Sequence, residues 1–170
     1  MNGVQVMKQV LDNTHSWFKD TTADVSAEQA NKVPTGTAHP ISAIIAHTLH
    51  GEDGIINMLQ GKPPVWESEG WGTRLGIPFV MMQDEAQARA LKFDPKVLED
   101  YQQKVYANTD AYLSSLKDSD LERELDLSAM NMGRMTVAGV LSFILIGNTF
   151  AHTGEIAALK GVQGLKGYPF

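Results

Sequence analysis

The chain has 170 residues, 14 Lys and Arg against 20 Asp and Glu, a formal net charge of -6 and no cysteine. The acidic balance argues against non-specific nucleic-acid binding, which needs clustered cations to displace counterions. The lack of cysteine removes disulfides, thiolate metal sites and cysteine nucleophiles from consideration. Hydrophobic residues make up 43% and charged residues 20%, which predicts one globular domain over 1–170 rather than a disordered chain.

The N-terminus has no basic region followed by an apolar one, so no signal peptide is expected. Helical period begins near Val4 and runs to about Lys19, with Val4, Met7, Val10, Leu11, Thr14, Trp17 and Phe18 on one face. Ser26 and Gln29 have the spacing of a capping box and predict a short helix before Val33-Pro34. A second long helix is predicted from near Pro40 to Gly61, ahead of Pro63-Pro64. Its stripe is Ile41, Ile44, Ile45, Thr48, Ile55, Ile56 and Leu59. Glu52 falls inside that stripe, His47 on its flank and His50 nearly opposite, at about 100° per residue.

A long connection, Lys62 to Phe93, follows. It carries Trp66 and Trp71 among glycines and prolines, and a short helix is predicted around Asp84 to Leu91. Connections of this length usually carry function or structure of their own. Asp94-Pro95 then announces a third long helix, with Leu98, Tyr101, Val105, Tyr112 and Leu116 in a heptad-like rhythm and Asn108 or Thr109 at the missing step. Near Leu125 to Leu127 a brief extended piece is allowed, but nothing alternates long enough for a sheet.

The fourth long helix is predicted from near Thr136 to just before Gly161. Its seam is Ala138, Leu141, Leu145, Asn148, His152, Glu155 and Leu159, and its other faces are apolar too. A helix apolar all round is buried on several sides, in the centre of the bundle or, through Phe143, Ile146 and Phe150, against a second subunit. The longest apolar stretch, Val137 to Ala151, is interrupted by Asn148 and is short for a bilayer. A soluble cytoplasmic protein with neither membrane nor nucleic-acid partner is therefore expected. The glycine-rich tail is expected to pack through Tyr168 and Phe170. Together these elements predict an all-α fold, with four helices packed as an antiparallel bundle. Such bundles build their sites from facing helices.

No P-loop, dinucleotide fingerprint, nucleophile elbow or HExxH motif is present. The informative feature is polar residues on apolar seams: Asn148, His152 and Glu155 on the fourth helix, Glu52 on the second, with His47 beside it. Burying such groups unpaired costs about 1–3 kcal/mol each. Imidazole and carboxylate groups from two helices can hold a divalent metal ion, leaving positions for water or substrate. The competing structural readings are a register-fixing Asn148 and a buried Glu52–His152 charge pair. By the same reading His15 is surface or packing, His39 is a turn residue and His50 faces away. Trp66 and Trp71 cap the bundle or line a pocket gated by the connection.

The stretch Ile44-Ile45-Ala46-His47-Thr48-Leu49 followed by Glu52, and the later run from Asn148 through His152, Gly154 and Glu155 to Ile156, resemble the DinB-like (DinB/YfiT-like) superfamily of metalloenzymes. Asp118 to Leu121 and Thr136-Val137 are similar as well, and the resemblance runs in order from the first helix to about Gly161. It implies a four-helix bundle in up-down-down-up arrangement, typically dimeric; the Lys62 to Phe93 connection is then a long loop between helices 2 and 3. It also implies a divalent metal, often nickel or zinc, held by three histidines: one from the second helix and an HxxxH pair from the last. Characterised relatives include transferases and isomerases that use a low-molecular-weight thiol. His47 matches the second-helix ligand and His152 the last one, while Asn148 stands where the middle histidine is expected.

An amide is a much poorer ligand than imidazole. Glu52 replaces it, with Glu155 as another helper, or the metal is held weakly, or the site has become a polar pocket. The expectation is a metal-dependent enzyme on a small-molecule substrate, a thiol-dependent transferase or a hydrolase, with a degenerate His47, Asn148, His152 site. The alternative is a non-enzymatic homodimeric bundle, or a small-ligand module that has lost metal.

Overall fold

Helix α1 (Gly3–Thr22) opens on a capping box in which the Asn2 side chain accepts from Gln5 N–H and the Gln5 side chain accepts from Asn2 N–H. The Asp118 carboxylate takes the next two free donors, Gly3 N–H at 3.1 Å and Val4 N–H at 3.0 Å, satisfying amides that have no partner within the helix. Val4, Leu11, Thr14 and Phe18 point inward. Val10 and Trp17, expected on the same face, lie on its flank at 36% and 43% exposure. The structure, a computed structural model, describes residues 1–80 and 85–170. Asp84, at the predicted start of a short helix, lies outside the described residues.

The short helix α2 (Ala27–Ala30) carries the expected Ser26–Gln29 capping box. Helix α3 (Ile41–Gln60) follows Pro40 and stops at Gly61, whose φ of 66° is left-handed. Gly61 and Lys62 N–H close back on Met58 and Asn57 carbonyls, which satisfies orphan acceptors at the helix end. The whole predicted stripe of α3 is buried, Glu52 included. His50 is buried as well, where the sequence had turned it away from the core.

The reason lies in the connection that follows. Its described part holds α4 (Val65–Ser68), α5 (Trp71–Leu75) and α6 (Glu85–Ala90), and it folds over the second face of α3. Asp53 anchors its start: the carboxylate accepts from Val65 N–H, Trp66 N–H, the Asn57 amide and the Tyr101 hydroxyl, all at 2.7–2.8 Å. Trp66 and Trp71 are buried against Tyr101.

Asp94 caps a tight turn, Pro95–Leu98, that leads into α7 (Glu99–Ser115). Thr109, and not Asn108, fills the missing inward step of that helix. Two three-residue strands, β1 (Glu124–Asp126) and β2 (Arg134–Thr136), pair antiparallel. This corrects the expectation of no sheet. The turn between them uses left-handed Asn131 and Gly133, which lets strands too short for a visible alternation meet.

The last helix, α8 (Val137–Val162), is continuous for 26 residues. It runs through Asn148 without a break, and its full length and composition, unlike those of the shorter Val137 to Ala151 stretch, match a membrane span as the core helix of a soluble bundle also can. Thr136 caps it. Residues Val140–Gly147 are a π-helical segment, after which α-helix resumes. The wider π turn shifts the inward face by one position. The buried residues include Leu141, Leu145, Thr149, Thr153, Ile156 and Lys160, while Asn148, His152 and Glu155 sit on the shoulder, half-buried.

The described chain is mostly helical, and two apolar clusters order its long helices. One holds Phe18 of α1, Ile41 to Leu49 of α3, Leu98 to Val105 at the start of α7, and Ile156 of α8. The other holds Val4 and Leu11, Ile55 to Leu59, Tyr112 and Leu113, and Val140 to Ile146. The run of residues between the clusters therefore has the same sense in α3 and α7 and the opposite sense in α1 and α8. The tail packs as expected, with Phe170 and Tyr168 against Trp17 at 5.2 and 6.1 Å between ring centres.

Candidate metal centre

Because α8 runs against α3, residues of its C-terminal half meet the N-terminal half of α3. The His47 and His152 rings face each other with centres 5.0 Å apart and planes at 89°. Two imidazoles bound at about 2 Å to one tetrahedral ion would place their ring centres roughly 5 Å apart, so the spacing suits a shared ion. His47 Nδ1 is buried and has no hydrogen-bond partner. Burial pushes the His47 pKa below its ordinary value, the neighbouring His152 adds to this, and the Val80 backbone and Glu155 work against it. The ring is thus neutral near pH 7, the form that ligates metal.

His152 Nδ1 lies 3.0 Å from Glu155 Oε2. That hydrogen bond, ahead of the opposing effect of burial, draws the Glu155 pKa down, so the carboxylate is ionised and accepts. In the neutral form of the ring this bond places the proton on Nδ1 and leaves the Nε2 lone pair for a metal. A carboxylate that fixes a histidine tautomer in this way is a common support for a metal ligand. Asn148 lies one turn earlier on the same shoulder of α8, since residues four apart share a helix face.

Glu52 does not join these groups. Its Oε1 accepts from Thr109 at 2.6 Å and its Oε2 lies 2.9 Å from His15 Nε2, on the side of α3 that faces α1 and α7. This ties down both oxygens, and His15 is a buried partner stacked on Tyr106 at 3.6 Å rather than a surface residue. The Glu52–His152 pair is therefore not formed. Trp66 and Trp71 are core residues, although Trp66 with Phe79 also lines a shallow cavity of about 490 Å³.

His39 was read from sequence as a turn residue. It lies near enough to His47 and Glu155 to act on both electrostatically, and its Nδ1 is buried without a partner. No spacing rule marks it, because it reaches the site from the segment ahead of α3. That segment is held by Arg89, which donates to the carbonyls of Ala38 and Pro34. Among the described residues no three His, Asp or Glu side chains converge to hold an ion. The site thus offers two imidazoles, one of them bound to a carboxylate, and is one strong ligand short of a three-ligand metal centre.

The sequence profile of the DinB superfamily matches residues 8–156. A search of curated proteins found no match. Among solved structures, the crystal structure of a conserved protein from Enterococcus faecalis is similar in fold, with a TM-score of 0.80 at 23% identity, covering 96% of this chain and 99% of that one.

Proposed function

Because the chain belongs to the DinB superfamily, we propose that it is a metal-dependent enzyme acting on a small molecule, as a thiol-dependent transferase or a hydrolase, through a site reduced to two imidazoles. The observation that carries this reading is the His47–His152 pair at 5.0 Å with an unpartnered, buried His47 Nδ1. His47 and His152 hold the ion, zinc or nickel, and Asn148 offers a weak amide oxygen beside them. When bound, such an ion lowers the pKa of a coordinated water or thiol.

The remaining work falls to the protein. Burial keeps His47 neutral and ready to ligate. Glu155 holds the His152 proton on Nδ1, and the Val80 backbone lies against the His47 ring. The architecture that accompanies this reading is a single-domain antiparallel four-helix bundle of α1, α3, α7 and α8, in up-down-down-up order. It works as a cytoplasmic homodimer through the face that carries Phe143, which is 74% exposed in the single chain.

A second reading follows from the missing third ligand: a metal-free pocket that binds a small molecule at the same imidazole pair. Titration of untagged protein with zinc and nickel separates the two. The first reading expects weak binding that His152→Ala abolishes and Asn148→His tightens by about tenfold or more, the scale of one added ligand. Absence of binding in both the unsubstituted chain and Asn148→His rules out the metalloenzyme.

A further inference from the structure

A cavity of about 260 Å³ opens on the opposite flank of α3 from His47, between α1, α3, the Pro95–Leu98 turn and α7. Its floor is apolar, made by Phe18, Ile45, Leu49 and Leu98, all buried. Two ammonium groups and a phenol are among its polar lining groups. Lys19 and Lys96 line it and form no ion pair among the described residues. Tyr106 also lines it. Its hydroxyl accepts from Gln102 Nε2 at 3.0 Å and makes no donation among the described residues, so the O–H remains free to donate. Glu99 is the one acid at the rim, against two ammonium groups.

An apolar floor with two unpaired cations and a free phenol at its edge is complementary to an aliphatic tail with an anionic head. The volume lies just below the roughly 300 Å³ lower end for drug-sized ligands, which limits the occupant to a short chain. We propose that this cavity binds a small aliphatic monocarboxylate, its tail on Leu49 and Leu98 and its carboxylate on the Tyr106 hydroxyl, Lys19 and Lys96. The site is separate from the imidazole pair and does not depend on metal.

The test is calorimetric titration of the full, chelator-treated chain with octanoate, with octan-1-ol as the neutral control. Octanoate is expected to bind, and octan-1-ol to bind more weakly. Tyr106→Phe keeps the stack on His15 and should weaken octanoate by about tenfold, the scale of one hydrogen bond to a charged group. The Lys19→Ala/Lys96→Ala pair should weaken it at least as much. Ala23→Trp, a change at an exposed rim position, should fill the mouth and remove binding, while His152→Ala should leave it unchanged. No octanoate binding, equal binding of octan-1-ol, unaltered binding by folded Ala23→Trp, or loss in His152→Ala would each overturn the proposal.

Discussion

His50 shows what the core demands of a single side chain. Its Nδ1 accepts from Val80 N–H at 2.8 Å, and its ring lies between Trp66 and Phe79. Burial drives its pKa down to about 3 from 6.5. Above pH 6.5 the ring is neutral in both folded and unfolded chains and pH has no effect through it. Below 6.5 the unfolded chain takes up a proton that the folded one refuses, so stability falls by about 1.4 kcal/mol per pH unit until near pH 3. Urea denaturation at steps from pH 7 to pH 4 should show that slope, and His50→Asn, which retains an acceptor for Val80 N–H, should flatten it. An unchanged slope would assign the loss to other groups. The direction of His50 was not legible in the sequence, because helical period reports one face and the connection supplies the second. The approach of His39 was hidden for a similar reason: nothing local records which distant groups its ring will meet.

At the scale of elements, caps and periods carried most of the information. Pro40, Gly61, Asp94 and Thr136 each bound a helix or turn near where the sequence placed them, since these residue types satisfy or end a helix by their own covalent geometry. Past Leu145 the seam of α8 was misplaced by one position because π-helical turns leave no mark in a pattern counted at 100° per residue. That offset matters to the site: it lifts Asn148, His152 and Glu155 from the core to a half-buried shoulder. The covering of α3 hangs on Asp53, which joins α3, α4 and α7. Asp53→Ala leaves two backbone N–H groups and the Tyr101 hydroxyl without their acceptor, and should cost roughly 3–5 kcal/mol. Equilibrium unfolding checks this, and a loss under 1 kcal/mol would show that the connection is anchored elsewhere. Gly61→Ala, forced to hold φ at 66°, should cost about 1 kcal/mol.

For the molecule as a whole, the mostly helical fold and the superfamily were legible because four amphipathic segments and the His47 and His152 stretches occur in a fixed order. The completeness of the site was not, since the sequence shows which ligand is absent but not which groups gather around the remaining pair. The proposed dimer predicts sedimentation at twice 18.6 kDa and a monomer for Phe143→Lys. A monomeric unsubstituted chain would contradict it. The claim on which the functional account stands is that His47 and His152 share one ion. Crystals soaked in zinc or nickel and measured at the metal edge test it most directly. The account predicts an anomalous peak about 2 Å from an imidazole nitrogen of each ring. Full data at the edge with no peak between those rings, or a peak held by other residues, would contradict it.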